Sequence, residues 1–150
     1  MREKHVFGPV HVDVPPDLSR ADLELYGIDH FRPSYTARVF FNDPDVDVDD
    51  SSEDRASFAG DFAVFGHQRC VGDDGHCHVH EHLRRFDDRP SHPLTRAFKR
   101  VIVTEALRRV QGDELTVTLI VTSGEEAESP QLPLLSFEAM QIATFSEPAS

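Results

Sequence analysis

The sequence predicts an all-β chain, an antiparallel β-sandwich with one short helix and a long cysteine- and histidine-rich insertion. Three observations carry that prediction. Several segments alternate apolar and polar residues with period two, the pattern of half-buried strands. One segment alone, around 104–112, has the charge order of a helix. The strands are separated by long loops with no internal repeat, which favours antiparallel sheets over strand–helix–strand units. A length of 150 residues fits one domain, 1–150, able to bury one sizeable core.

The elements follow in order. Val10-His11-Val12-Asp13-Val14 alternates and stops at Pro15-Pro16, as a short edge strand does. Residues 17–33 are mixed, and 22–26 reads as a turn or a strand. Tyr35–Phe41 is a strand. The acidic run 42–56 after it has only Val46 and Val48 to offer a core, and predicts a mobile loop. A second strand spans 57–66, with Gly60 marking a bulge or a close backbone approach. Residues 67–93 form the insertion. A strand at 98–103 leads to the helix: Thr104 as its cap, Glu105 in the first turn, Arg108 and Arg109 in the last, Gly112 at the C-cap. Glu114–Thr122 is the clearest strand, with Leu115, Val117, Leu119 and Val121 on one face. After an acidic turn at 124–130, residues 132–145 make one bent strand or two.

A net charge of −12 repels phosphate backbones and excludes a nucleic-acid partner; a basic surface or a cation suits the chain better. No apolar run approaches the roughly 18 residues that a membrane span needs, so no membrane partner is expected. The N-terminal Met1-Arg2-Glu3-Lys4-His5-Val6-Phe7 lacks a signal-peptide pattern. A cytoplasmic location is the expectation, unless the chain is cut from a longer precursor.

The order of these segments resembles the C-terminal domain of tyrosinase-type polyphenol oxidases. Tyr35-Thr-Ala-Arg-Val-Phe-Phe-Asn42 is similar to the opening strand of that domain in the plant enzymes. Phe58-Ala-Gly-Asp-Phe62 resembles its "AGSF"-type strand, and 101–109 its strand with a one-turn helix. Glu114-Leu-Thr-Val-Thr-Leu-Ile-Val-Thr122 resembles its "VVVTLV" strand, and the tail to Phe145 its closing strand. The resemblance covers about 35–66 and 97–146. It implies a non-catalytic accessory subunit or domain that shields the active site of a tyrosinase-like dicopper oxidase or assists its copper loading. The dicopper catalytic site itself, six histidines on a helical bundle, has no counterpart in this sequence. The plant pattern also leaves 67–93 unaccounted for.

That segment opens His67-Gln-Arg-Cys70-Val-Gly-Asp-Asp-Gly-His76-Cys77-His78-Val-His80-Glu-His82. Thiolate and imidazole donors together suit copper(I) or zinc, and the resemblance favours copper. If 76–82 is extended, His76, His78, His80 and His82 share a face with Cys77 opposite. Asp73-Asp74-Gly75 is a turn that folds Cys70 back toward Cys77, so His67, Cys70, Cys77 and a later histidine can form a tetrahedral set. The structural alternative is a Cys70–Cys77 disulfide closing a loop of about eight residues, which contributes roughly 2–3 kcal/mol in the chain-entropy model. The histidines would then be solvated. A stand-alone copper or zinc protein is thus the rival to the accessory-subunit reading.

Other constellations carry less. Asp43, Asp45, Asp47 and Asp49 alternate, but an EF-hand needs glycine where Val48 stands and glutamate where Asp54 stands. His67 and Cys70 have no orienting carboxylate at a recognisable spacing for a nucleophile pair. His5, His11, His30 and His92 are scattered and expected at the surface or on edges. Phe40, Phe41, Phe58, Phe62 and Phe65 are expected in the core, although an exposed aromatic can plug a partner's active site.

Overall fold

In a computed structural model, the structure describes residues 1–68, 96–125 and 131–146. The two strands with the cleanest alternation have the predicted bounds: β3 is Tyr35–Phe41 and β6 is Glu114–Thr122. They pair antiparallel, with Ala37 opposite Val121 and Val39 opposite Leu119. β1 (Arg2–His11) flanks β6, and β4 (Phe58–Val64) flanks β3, giving a four-stranded sheet in the order β1-β6-β3-β4. β1 is the edge strand expected at 10–14, but it starts at Arg2 and ends at His11. Its alternation is hidden because charged residues supply the outward positions.

The second sheet has the order β5-β2-β7, with β5 at Ala97–Ile102, β2 at Leu18–Ile28 and β7 at Ala139–Ser146. The mixed stretch 17–33 therefore contains a central strand. Ala21, Leu23, Leu25 and Ile28 of β2 are fully buried, and they join Val39, Leu119 and their neighbours from the first sheet in one continuous core. Full burial of a side chain of this size stabilises by roughly 1.5–3 kcal/mol. Of 132–145, only the part from Ala139 is a strand; Leu134 and Leu135 before it are buried in the same core.

One side of the core is closed where β4 meets β5. Gly60 has φ +151°, and a Cβ there would stand 2.7 Å from Val101 Cγ1. The ladder between β3 and β4 slips next to it, between Val39 and Phe40. Gly60 thus supplies both the bulge and the close approach that its place in the sequence suggested.

Helix α1 (Thr104–Arg108) has Glu105 in its first turn and Arg108 in its last, as predicted, and the two form an ion pair. The predicted cap differs. Val103 occupies the N-cap position, and the Thr104 hydroxyl instead accepts from the Ala21 amide at 2.9 Å, tying the helix to β2. Arg109 is the C-cap, and Gly112 lies beyond the helix with φ +93°.

The acidic segment 42–56 is a loop, as its composition predicted, but one docked on the fold. It folds back across the outer face of the first sheet. Val46 is fully buried there against Phe40 and Ile120, with Val48 and Phe58 packed around them. Cations fasten the rest. Lys4 Nζ donates to the carbonyls of Pro44 and Val46 at 3.2 and 3.4 Å. Arg38 donates to Ser51 O at 2.7 Å and to Glu53 at 3.1 Å. Asp43 accepts from the Ser57 hydroxyl at 2.6 Å and from Arg55 at 3.0 Å, which hold its carboxyl below the usual range. Asn42 takes a left-handed conformation, φ 54°, and accepts from the Thr116 amide at 2.9 Å. Composition did not suggest this docking, because one buried valine and a set of long-range cations are invisible in a local reading. Among the described residues, no helix is long and apolar enough to cross a membrane.

Candidate metal site at the root of the histidine-rich segment

Gly66 builds this site. It follows β4, at the point where the chain crosses the connection between β2 and β3. A Cβ on Gly66 would lie 1.9 Å from Arg32 O and 2.4 Å from Pro33 C, so only glycine fits. Its amide donates to Ser34 Oγ at 3.1 Å. The crossing places the next residue, His67, directly on His30: the His67 amide donates to His30 O at 2.7 Å.

The two side chains meet as well. Nδ1 of His30 and Nδ1 of His67 are 3.1 Å apart, with the rings edge to face at 81°. His30 is buried, contrary to the expected surface or edge position, and His67 is half-buried. The His30 loop is rigidly braced. Asp29 Oδ1 accepts from the Phe31 amide at 3.0 Å, its other oxygen pairs with Arg32 at 3.1 Å, and its own amide donates to Ser136 O at 2.8 Å. Tyr35 begins β3 beside this loop. Its buried hydroxyl has no hydrogen-bond partner among the described residues, and burial, with the Asp29 charge nearby, pushes its pKa well above the ordinary phenol value.

One imidazole donates the shared hydrogen bond and the other accepts it. The same separation suits a shared ion. Two nitrogens on one tetrahedral centre, each bound at about 2.0–2.1 Å, lie roughly 3.3 Å apart. The pair could therefore supply two nitrogens to a copper(I) or zinc coordination sphere once both rings turn so that their lone pairs converge on the ion. Of the predicted ligand set, His67 is brought to this site; Cys70, His76, Cys77, His78, His80 and His82 lie outside the described residues, as does His92. Among the described residues, no group of three or more His, Cys, Asp or Glu side chains could hold an ion. Sequence reasoning did not place His30 beside His67: the two are 37 residues apart, and the Gly66 crossing brings them together.

A second polar cluster was equally hidden. The outward face of β2 carries Asp22 and Glu24, which are 1% and 5% exposed despite facing away from the core. Side chains of three strands cover them. Arg100 on β5 donates to Glu24 Oε1 at 2.9 Å, Gln141 on β7 to Glu24 Oε2 at 2.8 Å, and Tyr26 to the same oxygen at 2.5 Å. Arg20 grips Asp22 with Nε at 2.8 Å. Tyr26, Gln141 and Arg100, in that order of effect, hold Glu24 below the usual carboxylate range. The charges are mutually satisfied, so the cluster specifies strand register and offers no free acid or base. A polar cleft of about 420 Å³ between the first sheet and the acidic segment is self-satisfied too: its Arg2 and Arg38 already bind Asp49 and Glu53.

The fold and these sites define an all-β protein of two antiparallel sheets carrying a paired-histidine site. No protein-family model matches the chain, and no curated protein is significantly similar to it.

Proposed function

We propose that this chain is a non-catalytic accessory domain of a tyrosinase-like dicopper oxidase, an antiparallel β-sandwich whose histidine- and cysteine-rich segment, 67–93, holds copper for that enzyme. The observation that carries the reading is the His30–His67 pair, two imidazoles at ligand spacing where the segment begins. The order of strands supports the family side: β3, β4, β5 with α1, β6 and β7 occur at the places that the resemblance to the polyphenol oxidase C-terminal domain implies. When bound, copper(I) at the imidazole and thiolate donors would be an exchangeable store for the partner's six-histidine centre. Phe65, 81% exposed and two residues before His67, supports the shielding role, because an exposed ring there can enter a partner's active-site mouth.

Copper(I) loading of the purified chain, followed by desalting and elemental analysis, tests the store. Bound copper is expected in the wild type, with a marked loss in His30→Ala, His67→Ala and Cys70→Ser. No retained copper in the wild type overturns it. Addition of the loaded chain to an apo tyrosinase-like oxidase tests the partnership: phenol oxidation should appear with loaded wild type and not with the His67→Ala chain. Phe65→Ala should weaken inhibition of the copper-loaded oxidase. The imidazole pair equally fits zinc, which supports a second reading, a stand-alone zinc or copper protein. Retention of metal with no effect on any dicopper oxidase favours it.

A further inference from the structure

A cleft of about 510 Å³ opens where α1 leaves the end of β5, and every residue lining it is described. Its apolar lining is Phe58 and Ala59 of β4 together with Ile102, Val103 and Ala106. Ile102 is 63% exposed, so its side chain offers apolar surface to a ligand. The polar groups of the lining are almost all engaged. The Ser19 hydroxyl donates to Phe145 O at 2.9 Å, the Thr104 hydroxyl is held by Ala21, and Glu105 pairs with Arg108. Arg109 differs. Its guanidinium donates once, to Phe58 O at 3.1 Å, and its other N–H groups have no partner among the described residues.

That makes Arg109 an exception. The chain has 27 acidic residues against 15 lysines and arginines. Every other described arginine, from Arg2 to Arg108, is ion-paired with a carboxylate. Among the described arginines Arg109 alone is not, and it also lines a second cleft of about 220 Å³, beside Phe41 and Val110. Apolar walls with one unspent guanidinium select a ligand with an apolar body and a single anionic head, which the fork of an arginine binds through two parallel N–H bonds. Charge narrows the choice further. A net charge of −12 repels a polyanion or an acidic peptide before contact. One carboxylate at the end of an alkyl chain meets far less repulsion and gains from burial of the chain.

We infer that the cleft between β4, β5 and α1 binds an alkyl carboxylate, its chain lying on Phe58, Ala59 and Ile102 and its head held by Arg109. Sodium decanoate titrated into the full chain and followed by two-dimensional amide NMR tests this. The resonances of Ala59, Ile102, Ala106 and Arg109 should move together and saturate. Decanol, of equal length but uncharged, should bind roughly tenfold more weakly. Arg109→Met keeps an apolar stem and loses the guanidinium, and should weaken decanoate binding by about the same factor. Ile102→Ser, at an exposed position, should weaken it about fivefold and covers the case in which Arg109→Met misfolds. Decanoate that leaves those amides unmoved overturns the inference, as does decanol binding as tightly as decanoate, or an affinity unchanged in both variants. A short apolar peptide with a free C-terminal carboxylate that moves the same amides where decanoate does not also overturns it, because the occupant is then a protein chain.

Discussion

The Tyr26 phenol donates to the Glu24 carboxylate at 2.5 Å, two residues along one strand and on the face turned away from the core. A carboxylate on the outside of a sheet would ordinarily be solvated. This one is covered because Tyr26, Gln141 and Arg100 converge on it from three adjacent strands.

The arrangement sets the acid limb of stability. Glu24 and Asp43 both have depressed folded-state pKa values, from ordinary values of 4.5 and 3.8. A depressed carboxylate contributes stability that is complete above its unfolded pKa and disappears as pH falls through the folded one. The part of the urea-unfolding free energy that these two carboxylates supply should therefore be constant above about pH 5 and decline below about 4.5. Tyr26→Phe removes the largest cause of the Glu24 shift. It should destabilise the fold at pH 7 and flatten the acid decline. An identical pH dependence in wild type and variant would count against the network.

Val46 is the anchor of the acidic segment. Val46→Ala should lower stability by about 1–2 kcal/mol, the cost of two buried methyl groups. Val46→Asp should cost more, because it buries a charge against Phe40 and Ile120. Both should speed proteolysis within 42–56 before the rest of the chain is cut, and limited proteolysis with mass spectrometry reads this directly.

Gly60→Ala meets two penalties, the positive φ and the 2.7 Å approach of Val101. A loss of roughly 2–4 kcal/mol is expected from strain and overpacking together. In a double-mutant cycle with Val101→Ala, the clash part should be recovered and the backbone part should remain. Strict additivity of the two substitutions would refute the contact.

If His30 and His67 share one ion, their substitutions cannot be independent. His30→Ala and His67→Ala should each weaken zinc or copper(I) affinity by at least the roughly tenfold that loss of even an outer-shell partner causes. The double variant should be little worse than either single one. Competition titration with a chromophoric chelator measures all four affinities, and a His30→Ala affinity equal to wild type would remove His30 from the site.

The sequence made some elements legible and hid others for physical reasons. β3 and β6 were readable because both are rich in β-branched and aromatic residues and, in β6, Leu115, Val117, Leu119 and Val121 share one face. β2 was obscured because its outward positions are Arg20, Asp22 and Glu24, residues that disfavour strands unless paired across neighbours. Those neighbours, Arg100 and Gln141, are 76 and 117 residues away. Thr104 read as a cap by its identity, yet its hydroxyl had a better partner in Ala21. Phe65 looked like core and is almost wholly exposed, since it follows the last inward position of β4. For the candidate site, ligand density singled out His67, while the placement of His30 beside it depends on Gly66 letting two loops cross, which no local pattern shows.

The docked acidic segment also shapes how ions reach the protein. Arg38 and Arg55 are paired with Glu53 and Asp43 of the segment, while Asp45, Asp47, Asp50 and Asp54 remain exposed. With a formal charge of −12, the potential felt at a distance is negative. Divalent cations are concentrated around such a body before any ligand engages them, within a reach of about 8 Å at physiological ionic strength. Added sodium chloride should therefore slow capture of a divalent cation far more than it hastens release.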